Sequence, residues 1–436
     1  MRILIVSDSP WRKDNSFGNT YSNRFSRIPE IEIAHIYTIA GDPEPDSNTL
    51  AFYQIPEGLV LKSVIKRSVE PAGRVVRPNT TSSVGETTDE SPKPSSWYSK
   101  LVSFGKRHHW MSMFIARETG WRLGRIDWDG LLQFAKGFKP DLVFLPIFYT
   151  YYTNRIGLYL KRELGIPMVL EISMDYYTFK RFSLNPLFGI DRIFKRRMMR
   201  RLTNEASLMY VISDKLKIEY EKQFSLPIKI LYKVPDPSRY SSPYKQLDAE
   251  KLQFLYTGNL YANRWKSLAL LVDELKKTNL GYLDIYTATP INSKMSSALN
   301  VEGVSEIHPP VSQDDVVRLQ NKADVLVHVE SFDLANRLLV RYAISTKVMD
   351  YLNAKRCILA IGPSDVASVE YLRNNDIALV ASGKEALSEI IMSMKEDESL
   401  VQKYANRSSD YVQSELDPEV INRGLLSDLK RIAGIE

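Results

Sequence analysis

Continuous apolar runs, each followed by a stretch of helical periodicity, recur along most of this chain, and nothing else in the sequence limits its fold so strongly. RILIV at 2–6, IEIAHIY at 31–37, DLVFLP at 141–146, PMVLEI at 167–172 and SLMYVIS at 207–213 mark the first half. Strands apolar on both faces and separated by helices predict a parallel sheet covered on both sides. The pattern breaks at KVPDPSRYSSPYKQ, 233–246, where three prolines and no hydrophobic period read as a linker. It restarts with LQFLYT at 252–257 and a helix carrying Leu268, Leu271, Val272 and Leu275. LDIYTA, a helix at 313–322, DVLVHVE, a helix at 346–354 and RCILAIG follow. A chain of 436 residues outgrows a single core. The expected fold class is therefore α/β, with two Rossmann-like domains.

The expected boundaries are 1–232 for the first domain, 233–246 for the linker and 247–415 for the second domain, with a helix in 416–436 placed to pack back on the first. Between Lys66 and Lys100 the chain is polar and rich in Ser, Thr and Pro, and reads as a flexible insertion at about 66–100. Its central part, Pro78 to Ser96, is expected to be mobile and dispensable for folding.

The single cysteine, Cys357, lies in an apolar run and excludes an intramolecular disulfide framework. With no signal-peptide core and no span long enough for a bilayer, the sequence predicts a cytoplasmic chain. A net charge of +6 comes without any nucleic-acid-binding motif, so no nucleic-acid partner is expected. The positive charge is locally dense at Lys195, Arg196, Arg197, Arg200 and Arg201 around Met198 and Met199. A second basic stretch runs from Lys106 to Arg122 and carries Trp110, Met111, Met113, Phe114 and Trp121. Basic amphipathic helices of this kind either cover their own domain or rest on anionic lipid at the inner face of a membrane.

Open parallel sheets bind ligands beyond the carboxyl ends of their strands. In TGNLYANRWKS, 257–267, Gly258 lets backbone approach a ligand, the following helix start offers free N–H groups, and Arg264 and Lys266 add full charge. A diphosphate suits that combination. In STKVMDYLNAKRCILA, 345–360, Ser345 or Thr346 is placed to cap a helix, Lys347 sits in its first turn, and Asp350 lies one turn on, within reach of a ribose. Val348 and Leu352 would face the core.

These residues, with the IHPPVS turn at 307–312, resemble the retaining GT-B-fold glycosyltransferases of the family-4 type. STKVMDYLNAKRCILAIG is similar to that family's S-x-K-x-x-E-Y-L-x-x-x-K/R-P-I-L-A segment. The resemblance implies a transferase that moves a sugar from a nucleoside-diphosphate sugar to a hydroxyl of a glycan, lipid-linked or protein acceptor. It needs neither cofactor nor metal, because Arg264, Lys266, Lys347 and a helix N-terminus stabilise the departing diphosphate. It also implies donor contacts from Gly258, Asn259, Ser345, Thr346, Lys347 and Asp350, with Pro310 and Val311 beside the base. Asp350 stands where the family has Glu, and the family's earlier Glu falls on Tyr342.

Asp175, just past PMVLEI, is the first half's choice for a catalytic polar group, with Glu171 behind it and Gly18, Asn19 and Ser213 on the acceptor side. Each would serve equally as a loop cap. Asp127-Trp128-Asp129 imitates a metal-binding D-x-D but precedes a helix, so one of its carboxylates is expected to cap. His108 and His109 have no third ligand at useful spacing. A nucleotide-sugar 2-epimerase using Glu171 and Asp175, or a binding subunit without turnover, are the alternatives.

Overall fold

The computed structural model describes residues 1–12, 15–77, 111–181, 183, 185–234 and 251–435. Pro78 to Ser96, His108, His109, Trp110 and all of the linker beyond Val234 fall outside them.

The described residues form two sheets. The first has the order β4-β3-β2-β1-β5-β6-β7-β8. Its strands are β1 (Arg2–Val6), β2 (Glu32–Tyr37), β3 (Thr49–Gln54), β4 (Arg74–Val76), β5 (Leu142–Ile147), β6 (Met168–Ile172), β7 (Leu208–Val211) and β8 (Ile228–Ile230). Its helices are α1 (Ser16–Phe25), α2 (Glu57–Ile65), α3 (Met111–Leu123), α4 (Trp128–Phe138), α5 (Tyr151–Leu164), α6 (Pro186–Glu205) and α7 (Asp214–Glu221). The pairing is parallel except where β4 runs antiparallel to β3.

The second sheet, β11-β10-β9-β12-β13-β14, is parallel throughout. It alternates β9 (Leu252–Thr257), α8 (Arg264–Thr278), β10 (Gly281–Tyr286), α9 (Ser293–Leu299), β11 (Ser305–His308), α10 (Gln313–Lys322) and β12 (Val325–Val329). After α11 (Leu334–Val340) come α12 (Thr346–Asn353), β13 (Cys357–Ile361), α13 (Ala367–Asn374), β14 (Leu379–Ala381), α14 (Lys384–Glu396), α15 (Ser399–Glu415) and α16 (Pro418–Ala433).

Both sheets are covered on both faces, as unbroken apolar strands require. Successive side chains of a strand point to opposite sides. Thus Leu4, Val6, Val143 and Leu145 enter one core while Ile3, Ile5, Leu142 and Phe144 enter the other. In the second sheet Phe254, Tyr256, Val325 and Val327 divide in the same way from Leu255, Leu326 and Ile358.

Part of the presumed insertion is ordered: Arg74–Val76 is the edge strand, in register with β3 through Phe52 and Val76, and Ala72 bridges to Ile126. Edge strands bury little, and Val75 is 60% exposed, so no apolar run announces them. The D-W-D segment ends in a helix cap, with Asp127 accepting from the Gly130 N–H at 2.9 Å at the start of α4.

The last helix, α16, crosses back to the first sheet, where Leu425 and Leu429 are buried with Ile3, Ile5 and Phe144. There Asp428 accepts from Tyr210 Oη at 3.0 Å and from Lys229 Nζ at 2.6 Å. The two halves also meet at Tyr342, buried in the first domain's core, and its carbonyl accepts from Ser213 Oγ at 2.6 Å. An ion pair between Lys215 and Glu370 at 2.6 Å lies beside that contact. In each sheet the strand order reverses once, between β1 and β5 and between β9 and β12. Such reversals leave a crevice at the carboxyl edge, where ligands are received.

Candidate active site

The reversal in the second sheet is built from two strand ends. β9 leaves the sheet at Thr257 into Gly258, and β12 leaves at Val329 into Glu330. Gly258 has φ +150°, and a Cβ there would stand 1.9 Å from Lys347 Nζ. Only glycine lets the lysine lie against this backbone. From α12, Lys347 donates to the Thr257 carbonyl at 3.1 Å and sits 4.8 Å from the centre of the Tyr256 ring.

Between Gly258 and α8 the loop holds two successive non-glycine residues in the left-handed region, Ala262 at φ 57° and Asn263 at φ 58°. That conformation costs on the order of 1 kcal/mol per residue and persists only where neighbours enforce it. Here Tyr256 Oη donates to the Asn259 carbonyl at 2.6 Å, Thr289 Oγ1 accepts from the Leu260 N–H at 2.8 Å, and Asn263 donates to Asp333 at 2.5 Å. The strain turns the chain so that α8 begins at Arg264, facing Glu330.

Arg264 is the hub. Its guanidinium donates to both Glu330 oxygens, the nearer at 3.0 Å, and to Asn259 Oδ1 at 3.1 Å. Glu330 is buried at 3% exposure, and desolvation raises its carboxyl pKa while Arg264 and Lys347 pull it down. Burial, then the Arg264 charge, lowers Lys347 to about 8. Beneath them His328, held neutral by burial, shares a 3.0 Å hydrogen bond with Ser368 Oγ. Two cations face one carboxylate, so the pocket keeps unbalanced positive charge for an anion.

Of the other expected donor residues, Lys266 lies on the same helix start but is half exposed, 3.4 Å from Asp333. Ser345 occupies the N-cap of α12 without a side-chain cap bond, and Thr346 is exposed beside it. Asp350 accepts from Lys233 Nζ at 2.6 Å, which ties α12 to the residue just after the first domain. Val348 and Leu352 are buried. Pro310 and Val311 are exposed past the end of β11, at the same carboxyl edge but two strands from β9.

The first-domain residues are placed differently. Asp175 is enclosed, accepting from the N–H groups of Tyr177 and Thr178 at 2.9 Å, from Tyr220 Oη at 3.1 Å and from Arg192 at 2.9 Å. That many donors leave its oxygens no capacity for a substrate, and the arrangement is that of a loop cap. Glu171 is likewise committed, to Tyr21 Oη and to Arg24 at 2.6 Å. Gly18 packs on the backbone of Arg12, and its N–H donates to Asn15, the cap of α1, at 2.7 Å. Asn19 accepts from Asn23 at 2.8 Å, and Ser213 caps α7. Sequence reasoning missed Glu330 and His328, whose signal was two polar residues at alternate positions ending the otherwise apolar VLVHVE.

Because free Lys347 has a depressed pKa, a bound diphosphate should return its proton. Diphosphate affinity is expected to fall as pH rises through about 8, where the free ammonium is lost. Calorimetric titration across pH 7 to about 10 checks this. Lys347→Gln should bind more weakly at pH 7 and show a flatter profile, and an equal slope in both proteins would remove Lys347 from the contact.

No family profile matches the chain, and no curated protein matches it in sequence. Solved structures do match along its whole length. Anabaena HepE, crystallised with UDP, superposes with a TM-score of 0.62 at 12% identity over 99% of this chain and 100% of that one. Sucrose-phosphate synthase from Thermosynechococcus elongatus gives 0.63 at 9% identity, covering 100% of both. WaaG, a glycosyltransferase involved in lipopolysaccharide biosynthesis, gives 0.53 at 12% identity, also covering 100% of both. The chain therefore has the GT-B fold: the alternation of strands and helices led one to expect two Rossmann-like domains, and the family resemblance implied their GT-B arrangement.

Proposed function

We propose that the protein is a glycosyltransferase that moves a sugar from a nucleoside-diphosphate sugar to an acceptor hydroxyl, with retention at the anomeric carbon. The observation that carries this reading is the convergence of Arg264 and Lys347 on Glu330, with Lys347 lying against the glycine backbone at Gly258, at the strand reversal of the second domain. HepE, similar in fold, was crystallised with UDP-glucose as well as with UDP, which supports the same class of donor here.

As the glycosidic bond lengthens, negative charge moves onto the diphosphate. Arg264 and Lys347, fixed in a partly desolvated pocket, stabilise it with little reorganisation, and the first turns of α8 and α12 contribute N–H groups. Lys266 adds long-range attraction from the rim. Because side chains supply this charge, the reaction proceeds without a divalent ion and survives a chelator. Asp175, fully engaged, has no part in this scheme. The acceptor hydroxyl enters from the first domain, and a cytoplasmic enzyme at the inner face of a membrane, serving polysaccharide or glycoconjugate assembly, fits the cationic surface of α6.

Release of nucleoside diphosphate from a panel of donors, with and without acceptor and with EDTA in a parallel arm, tests the reading. Acceptor-dependent release supports it. Formation of a new nucleotide sugar from donor alone would make the protein an isomerase instead, and loss of release on chelation would refute metal independence.

Asp350→Ala should weaken nucleotide binding by about 1 to 3 kcal/mol, the cost of a lost charged hydrogen-bond partner. Asp350 also holds Lys233. Lys233→Ala therefore serves as control: affinity lost equally in both variants would mean that Asp350 acts through the interdomain tie and not on the ribose.

A further inference from the structure

A groove of about 820 Å³ runs along the first domain between α3, α5 and α6. Phe114, Ile115, Ile190, Phe194 and Met198 give it apolar walls. Ile190 and Phe194 are 48% and 52% exposed, an unusual amount of bare hydrocarbon for neighbours on one helix.

Four arginines, Arg122, Arg155, Arg197 and Arg201, line the same groove, and none forms an ion pair with a described residue. Arg155 is the most telling. One terminal nitrogen donates to the Trp121 carbonyl at 2.9 Å, while its Nε is buried without any partner. The acids of the groove compensate only in part, Glu118 being the one that attracts Arg155. Asp191 is taken by Lys195 at 2.7 Å and by Tyr151 Oη at 2.6 Å, and burial lifts Glu118 to about 7. Apolar walls with unpaired guanidinium groups match a molecule that has both a hydrocarbon chain and an anionic head.

The groove adjoins the cleft. Tyr151 and Met198 line both it and a small recess formed by Ile147, Phe148 and Tyr149 at the carboxyl end of β5, the strand reversal of the first domain. A molecule lying between α3 and α6 would thus lie beside the acceptor side of the cleft.

We infer that the groove between α3, α5 and α6 binds the aliphatic chain and phosphate of a lipid-linked acceptor. That the bound lipid is an acceptor rests on the transfer reaction proposed above; the binding itself does not.

Calorimetric titration of the full chain with dodecyl phosphate below its micelle concentration tests the site. Dodecyl phosphate should bind one per chain. Inorganic phosphate and dodecanol, each with half of the chemistry, should bind at least about tenfold more weakly. Arg197→Ala/Arg201→Ala and Phe194→Ala alter exposed side chains and should each weaken dodecyl phosphate by about tenfold or more while leaving nucleoside-diphosphate affinity unchanged. The inference is overturned if dodecanol binds as tightly as dodecyl phosphate, or if the variants bind it like the parent. It is equally overturned if only phosphatidylglycerol vesicles, and no monomeric probe, are bound, since the surface would then serve a bilayer. Loss of nucleotide binding in the parent would instead strike the transfer reaction, so the two failures are separable.

Discussion

Arg264→Ala is expected to lower kcat together with donor affinity, with roughly 2 to 4 kcal/mol of transition-state stabilisation lost. The reason lies in how the side chain is held. Glu330 fixes the guanidinium from beneath at 3.0 Å, so the residue meets a diphosphate already oriented. Arg264→Lys should recover only part of the activity, because an ammonium cannot face Glu330 with two nitrogens and also offer a fork to phosphate. Lys266→Ala should cost less, since Lys266 is half exposed and its partner Asp333 is as well. Steady-state kinetics on the three variants, run well below their thermal midpoints, separate the effects. If Arg264→Ala raises KM and leaves kcat at the parent value, the residue attracts donor without helping the bond to break.

Gly258→Ala should be nearly as damaging although it removes no interaction. The added carbon would meet the Lys347 ammonium at 1.9 Å, and the backbone at φ +150° would be strained by about 1 to 3 kcal/mol. The ammonium can swing away only by leaving the place where the phosphate is received. Nucleoside-diphosphate affinity is expected to drop about tenfold or more, comparable to Lys347→Gln. A double-mutant cycle makes the claim specific: Gly258→Ala added to Lys347→Gln should cost little more affinity, because the group it displaces is already gone. Additive losses would mean that Gly258 acts on the ligand directly and not through Lys347.

Much of this was legible in the sequence, because parallel sheets buried on both faces write themselves as unbroken apolar runs. β5, all six residues of it buried, is the clearest case. That Gly258, Arg264 and Lys347 come together was expected for a related reason: they lie beyond the carboxyl ends of β9 and β12, and basic residues at a helix start oppose its dipole unless an anion is near. What stayed hidden depended on partners far along the chain. Nothing local tells that Asp175 is claimed by Arg192 and Tyr220, or that Lys233 reaches across to Asp350. Tyr342 shows the same limit from the other side. It stands where the family resemblance calls for a carboxylate, yet its ring is buried in the core of the opposite domain, a packing role that only the folded pair of domains defines. The edge strand β4 was hidden because a strand paired on one side needs no apolar run.

The second domain is expected to receive a nucleoside diphosphate between Gly258, Arg264 and Lys347. Isothermal titration of the intact chain with UDP, GDP and ADP, each in the presence of EDTA, tests it most directly. At least one should bind with one-to-one stoichiometry, and that binding should weaken by about tenfold or more in Arg264→Ala and in Lys347→Gln alike. Absence of binding by all three, or binding that both variants retain at the parent affinity, would contradict the account.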